Sequence, residues 1–224
     1  MTTFAILPMK SFGEAKQRLD LELQPGPRKA LAEAMFCDVL VALRRATSVD
    51  QVLVVSSDHG AQRIGGGYGA TVLEEPDRGH NDAAAQGVRH ALESGAERVL
   101  LVPGDCPLMD PGELDELVGR TAGARSVLIV PDRHGTGTNA LLLTPPDALA
   151  PSFGPGSCER HVSDADAAGI VNEVVTVPGL ALDVDTPEDL ATVQATLAAS
   201  RGGAAHTRGM LSQLMRSQAR SPQQ

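Results

Sequence analysis

Short apolar runs alternate with stretches long enough for helices along most of this chain. Phe4 to Leu7, Val52 to Val55, Val72-Leu73 and Arg98 to Val102 are such runs, each separated from the next by a dozen residues or more. A strand returning parallel to its predecessor needs a crossover of that length, normally a helix. Pro27 to Arg45 reads as one helix, with proline in its first turn and arginines in its last. Asn81 or Asp82 can cap a second running to about Ser94, and Pro111 opens a third through about Val118. Ser126 to Val130, Asn139 to Leu143, Glu173 to Val177 and Ala181 to Val184 are further strands. Thr186-Pro-Glu-Asp-Leu190 starts a helix. The order predicts an α/β fold, a three-layer sandwich around a mostly parallel mixed sheet.

One domain over residues 1–199 fits the length of 224 residues. Aromatics make up only 2%, so the core rests on Leu, Val, Ile and Ala. Residues 200–224 are rich in Gly, Ser, Gln and Arg and predict a flexible basic tail, with at most a nascent helix near Met210 to Met215. The net charge is −9, and the four arginines of that tail leave about −13 on the body. Such a body disfavours nucleic-acid binding but accepts an anionic substrate if metal ions carry positive charge locally. Cys37, Cys106 and Cys158 have no zinc spacing and fit a reduced, cytoplasmic protein. No signal peptide or membrane span is expected.

The chemistry concentrates where apolar runs end. Asp183 and Asp185 flank Val184; two residues apart on a strand means one face. Paired carboxylates repel unless they share a proton or a cation. Asp105 closes Val99-Leu-Leu-Val-Pro-Gly-Asp. Three such carboxylates predict a magnesium site and phosphate chemistry. Lys10, Lys16 and Arg18 follow the first run, where lysines act as point charges and arginine as a fork for a polyphosphate; a solvated basic loop is the alternative. Asp132 to Ala140 and Phe153 to Ser157 are glycine-rich loops. Thr136 and Thr138 offer hydroxyls in the first, and Gly154 and Ser157 lie at a helix N-terminus in the second.

Other features weigh toward structure. Gly65-Gly-Gly-Tyr-Gly69 follows no strand and reads as a flexible surface turn. The Arg78 to Asp82 segment is either a simple loop and cap or a contact for a base or phosphate. His161 reads as structural rather than as a base, and Cys106 as a packed residue without a partner for nucleophilic catalysis.

Taken together, these residues resemble the guanylyltransferases of deazaflavin coenzyme F-420 biosynthesis, acting on 2-phospho-L-lactate or phosphoenolpyruvate. The resemblance runs from about Ile6 to Leu190. It comprises Pro8-x-Lys10, Ala15-Lys16-x-Arg18-Leu19, Met35-x-x-Asp38-Val39, Ser57-Asp58, Gly79-x-Asn81 and Pro103-x-Asp105-x-Pro107-Leu108. It continues through Gly135-Thr-Gly-Thr-Asn139, Phe153-Gly154-x-x-Ser157-x-x-x-His161 and Leu182-Asp183-x-Asp185-Thr-Pro-Glu-Asp-Leu190. His80 stands where that family usually has leucine, and Cys106 where it usually has leucine or isoleucine.

The resemblance implies a nucleotide-diphospho-sugar transferase-like fold. It implies Mg2+ on Asp105, Asp183 and Asp185, and a phosphorylated three-carbon acid on Thr138, Gly154 and Ser157. GTP would meet Pro8, Lys10, Lys16, Ser57, Asp58 and Asn81, with Lys16 and Arg18 stabilising the departing pyrophosphate. Phosphoenolpyruvate is the favoured acceptor because the Ala/Arg/Gly-rich composition looks bacterial; 2-phospho-L-lactate and 3-phosphoglycerate are alternatives. No nucleic acid or membrane partner is expected, and the protein is expected to be a monomer or weak homodimer. Three other readings remain open: a CTP-dependent sugar- or alditol-phosphate nucleotidyltransferase, a non-catalytic nucleotide-binding module, and a phosphatase. The phosphatase is disfavoured because no Asp-x-Asp follows the first strand.

Overall fold

A computed structural model describes residues 1–13, 16–19, 23–76, 78–120 and 123–220, with only the backbone of residues 17 and 218–220. Seven strands form one sheet in the order β3-β2-β1-β4-β6-β5-β7. They are β1 (Thr3–Met9), β2 (Gln51–Ser56), β3 (Thr71–Glu74), β4 (Arg98–Leu101), β5 (Ser126–Pro131), β6 (Thr138–Thr144) and β7 (Val171–Val174). All run parallel except β6, which pairs antiparallel with β4 and β5.

Burial on both faces explains why the central strands read as continuous apolar runs. In β1, Ala5 and Leu7 belong to the core on one face, with Phe36 and Leu40 of α1 (Pro25–Arg45) and Leu114 and Leu117 of α4 (Pro111–Gly119). Phe4 and Ile6 belong to the other, with Val88 of α3 (His80–Glu93) and Ala165 of α5 (Ser157–Ala167). Gly87 lets α3 come close, since a Cβ there would collide with Ile6.

A third cluster lies off the sheet. Leu19, Leu31 and Met35 meet Leu182 and Val184, Leu190 and Val193 of α7 (Pro187–Ala199), and Leu211 of α8 (Ala205–Arg220). Two expectations change here. Residues 182–185 join no sheet; they follow a short helix, α6 (Pro178–Ala181), where a strand from Ala181 was expected. Leu182 and Val184 still face inward, toward α1, α7 and α8 rather than toward sheet neighbours. The expected flexible tail is also corrected over residues 205–220. Helix α8 packs on α1, and the Asp38 carboxylate accepts from the backbone N–H groups of His206 (3.0 Å) and Thr207 (2.8 Å). Residues 221–224 of that expectation lie outside the described residues.

Three smaller expectations change as well. The expected surface turn over Gly65 to Gly69 is confined to Tyr68 and Gly69, because Gly65 to Gly67 end helix α2 (His59–Gly67), where a side chain on Gly65 would strike Val54. Helix α3 starts from Gly79, so Asn81 lies inside it and is not its cap. The last strand spans Val171–Val174, earlier than the expected Glu173 to Val177.

Candidate active site

The chain leaves β1 toward β2 on one side and later returns to β4 on the other. A crevice opens at the carboxyl ends of strands where connections diverge in this way. Here it is a cleft of about 660 Å3. Pro8, Met9 and Lys10 enter it from β1, and Pro103, Gly104 and Asp105 from β4. Gly104 packs so tightly on Met9 and Phe36 that a side chain would not fit. Because β6 runs antiparallel, its first residues, Thr138 and Asn139, reach the same rim. Asp183, Asp185, Lys16, His80, Asn81, Phe153 and Gly154 complete the wall together with Phe12 and Ala32.

The three aspartates converge through backbone as well as side chains. The Val184 N–H donates to the Asp105 carbonyl at 3.1 Å, tying the 182–185 segment to the end of β4. The Asn139 amide donates to the Leu180 carbonyl (2.7 Å) and to Asp183 (3.2 Å). Asp185 leads into α7, whose capping box of Thr186 and Asp189 also holds the Asp185 N–H at 3.1 Å. Arg133, from the glycine/threonine loop, pairs with Asp189 at 2.9 Å.

The charge at this corner is poorly balanced. Burial raises the carboxyl pKa of Asp183 above the ordinary range, and Asp105 and Asp185 push it further, against the hydrogen bond from Asn139. One Asp105 oxygen, Oδ1, is buried without a partner. The cation present is Lys16. Its ammonium pairs with Asp105 and, at 2.7 Å, with Asp185. Burial alone would lower its pKa, but the two carboxylates win and raise it, so it stays charged. Lys16 has φ of +60°, a region costing a non-glycine residue about 1 kcal/mol or more and frequent at functional sites.

The opposite rim is mostly neutral and mostly hydrogen-bonded within the protein. Asn81 Nδ2 donates to the Phe153 carbonyl (3.1 Å), and the Phe153 N–H donates back to Asn81 Oδ1 (2.8 Å). Arg160 donates to the carbonyls of Ser152 and Pro155. His161 lies between the Thr138 hydroxyl and the Ser152 N–H, each 3.0 Å away. Phe153 stacks edge-on between His80 and His161.

Of the residues expected to form the site, Pro8, Lys10, Lys16, Asn81, Asp105, Thr138, Gly154, Asp183 and Asp185 meet in this cleft. Four do not line it. Arg18 is exposed in a 3-10 turn over Gln17–Leu19. Asp58 is occupied as the N-cap of α2: it accepts from Gly60 and Ala61, and also from Ser11 Oγ and the Phe12 N–H. Those bonds outweigh the effect of burial and hold its pKa low. Ser57 sits in the bend before it. Ser157 is buried at the start of α5, its Oγ without a partner. Ala15, part of the motif around Lys16, lies outside the described residues.

The structure adds Asn139, which steadies Asp183, and His161, which holds Thr138. Their signal in the sequence was only the motif context, since neither spacing nor residue type reveals contacts formed across the fold. Cys106 packs as expected. Its buried thiol lies 3.5 Å from the Leu180 carbonyl, and burial and then Asp105 push its pKa well up. Among the described residues no three carboxylate, imidazole or thiol groups stand together as a metal cage, and Lys16 pairs with two of the three aspartates.

This mostly parallel sheet with a cleft at its switch point is an architecture shared with a solved nucleotidyl transferase from Methanothermobacter thermautotroptrophicus, at a TM-score of 0.66 and 19% identity over 90% of this chain and 99% of that one. A crystal structure of a putative nucleotide-diphospho-sugar transferase from Desulfovibrio desulfuricans G20 has the same fold. Its TM-score is 0.76 at 16% identity, over 97% of this chain and 98% of that one. The family model described as guanylyl transferase, CofC like, matches residues 3–215, and the chain belongs to that family. A phosphoenolpyruvate guanylyltransferase from Conexibacter woesei is 56% identical over 96% of this chain and 98% of its own. A phosphoenolpyruvate guanylyltransferase from Sphaerobacter thermophilus is 40% identical over 85% and 91%. A 3-phospho-D-glycerate guanylyltransferase from Colwellia psychrerythraea is 36% identical over 85% and 90%.

Proposed function

We propose that this protein transfers GMP from GTP to the phosphate of phosphoenolpyruvate, giving enolpyruvyl-2-diphospho-5'-guanosine and pyrophosphate, a step of coenzyme F-420 biosynthesis. The observation that carries this reading is the meeting, in one cleft, of Lys10 and Lys16, three aspartates and the Thr138–Gly154 rim. In the reaction an ionised oxygen of the acid's phosphate attacks the α-phosphorus of GTP. The bond to the β-phosphate oxygen breaks, and pyrophosphate leaves with its electron pair. No general base is needed, since that phosphate is already ionised at neutral pH.

The two substrates together carry about seven negative charges. Lys10 and Lys16 are the cations on the cleft wall, and they are too few for that load. The aspartates fit Mg2+: they are hard oxygen donors, Asp105 Oδ1 is buried and unpartnered, and Asp183 is buried beside like charge. Asp105, Asp183 and Asp185 would hold the ion, which when bound supplies charge neutralisation and alignment for in-line displacement. Lys16 binds the phosphates of GTP once the carboxylates have another cation. Thr138 and the Gly154 loop hold the acid. Positioning of this kind accounts for up to about 7–11 kcal/mol of a barrier.

The test offers GTP and MgCl2 with phosphoenolpyruvate, 2-phospho-L-lactate or 3-phosphoglycerate in turn and follows pyrophosphate release. Release with phosphoenolpyruvate, and none when CTP replaces GTP, is the expected result. Release with another acid alone would overturn the acceptor, and silence with all three the activity.

A further inference from the structure

We propose that His161 is a positioning residue that fixes the Thr138 hydroxyl as a hydrogen-bond donor toward the cleft. The imidazole is fully buried and has one polar group at each ring nitrogen. At Nε2 that group is the backbone N–H of Ser152, 3.0 Å away, which can only donate. Nε2 must therefore carry a lone pair, and the neutral ring bears its proton on Nδ1. Nδ1 lies 3.0 Å from Thr138 Oγ1, so the hydroxyl accepts there. A hydroxyl that accepts from one side keeps its own hydrogen for another partner, and Thr138 lines the cleft. The hydroxyl then demands an acceptor, such as a phosphate or carboxylate oxygen, in the bound ligand.

The surroundings keep the ring in that state. Burial is the main effect and neighbouring Arg160 adds to it, outweighing Asp164, so the imidazole pKa falls to about 4. Arg160 itself clamps the Ser152 and Pro155 carbonyls, which holds the Ser152 N–H against Nε2. Protonation would set two N–H groups against each other at Nε2 and turn the site from one that selects an acceptor into a charged one. The role differs from that of a general base, because the Nδ1 proton is committed to Thr138 and Nε2 is covered by Ser152.

This inference rests on the acid binding at the Thr138 rim, and its test separates the two. Long-range 1H–15N correlation spectra of the unliganded protein at pH 7 report the His161 tautomer without substrate. The expected pattern is a neutral ring protonated at Nδ1; an Nε2-protonated ring or an imidazolium overturns the proposal whatever the activity. Kinetics supply the second arm. His161→Gln lacks a donor at the δ position and is expected to raise KM for the acid about tenfold, with KM for GTP within about twofold of wild type. His161→Asn places an amide N–H near the Nδ1 position and is expected to recover most of that loss. Equal defects in both variants, or equal rises in both KM values, would overturn positioning through Thr138. An Nδ1-protonated ring in a protein that turns over no phosphorylated acid would instead sink the functional reading and leave the tautomer standing.

Discussion

The two walls of the cleft are built on opposite principles. Around Thr138, Phe153 and His161 the polar groups mostly find protein partners: Asn81 with the Phe153 backbone, Arg160 with the Ser152 and Pro155 carbonyls, His161 between Thr138 and Ser152. Around Asp105, Asp183 and Asp185 the balance is incomplete. One oxygen has no partner, one carboxyl is pushed up by burial and by its neighbours, and one lysine serves two acids from a left-handed backbone conformation. The neutral wall is all but finished before any ligand arrives, lacking only an acceptor for the Thr138 hydroxyl. The charged wall is completed only by what binds it, which is where strain and unsatisfied charge are tolerated in a folded protein.

The largest effect should come from the charged wall. Asp183→Asn keeps shape and removes one of the repelling charges. Turnover measured by pyrophosphate release should fall at least about a thousandfold. The melting temperature should stay level or rise, since the carboxylate it removes is the one burial disfavours. Activity near wild type would break the assignment of this wall to catalysis. A large loss of stability would break the contrast between a strained wall and a relaxed one.

Lys16→Met should lower turnover about a hundredfold, as expected for losing a charge-stabilising donor. It should also destabilise the fold by about 1–3 kcal/mol, because Asp105 and Asp185 lose their shared cation. Millimolar MgCl2 should restore most of that stability in the variant and add less to wild type, whose lysine already holds two of the acids. Thermal melts with and without the metal check this. A variant indifferent to magnesium would argue that the three aspartates do not bind it.

The two walls were unequally legible in the sequence. Asp105, Asp183 and Asp185 stood out because each ends or interrupts an apolar run, and burial alternates through Leu182 to Asp185 as a strand would predict. The partner was misread: Leu182 and Val184 face α1, α7 and α8 rather than a sheet neighbour. Arg18 and Asp58 looked equally suitable by residue type, yet one faces solvent and the other caps α2. Local charge does not say which way a side chain turns. The neutral wall was harder still. Asn81 and Phe153 are 72 residues apart, and His161 and Thr138 are 23 apart. Bonds across such distances leave no periodic trace. Thr138 lies at the start of its strand, and only the antiparallel run of β6 brings it to the rim where the other strands end.

The neutral wall also predicts how stability depends on pH. The ordinary His161 pKa of 6.5 falls to about 4 in the fold. A depressed pKa means that the unfolded chain binds the proton first. The contribution is fully present above about pH 6.5 and is lost as pH falls toward 4, up to about 3 kcal/mol. His161→Asn has nothing to titrate there, so its stability should fall less steeply than wild type across that window, other histidines being common to both. Parallel slopes in denaturant titrations at pH 7, 6, 5 and 4.5 would mean that the ring is not held neutral, and the neutral wall would lose its main distinction.

The smallest effect tests whether the charged wall is braced from behind. Asp38 caps α8 from within α1, and Leu211 of α8 joins Leu182 and Val184 in one cluster under the aspartates. Asp38→Ala removes two hydrogen bonds from the start of α8 and should cost about 1 kcal/mol, the usual worth of a cap. If α8 steadies the 182–185 segment, the variant should lose magnesium-dependent stabilisation and turnover by a few-fold, while KM for the acid, set at the other wall, should not move. A matching shift in that KM would show that the walls are mechanically coupled, and the division of the cleft into a finished side and an unfinished one would have to give way to a single deformable site.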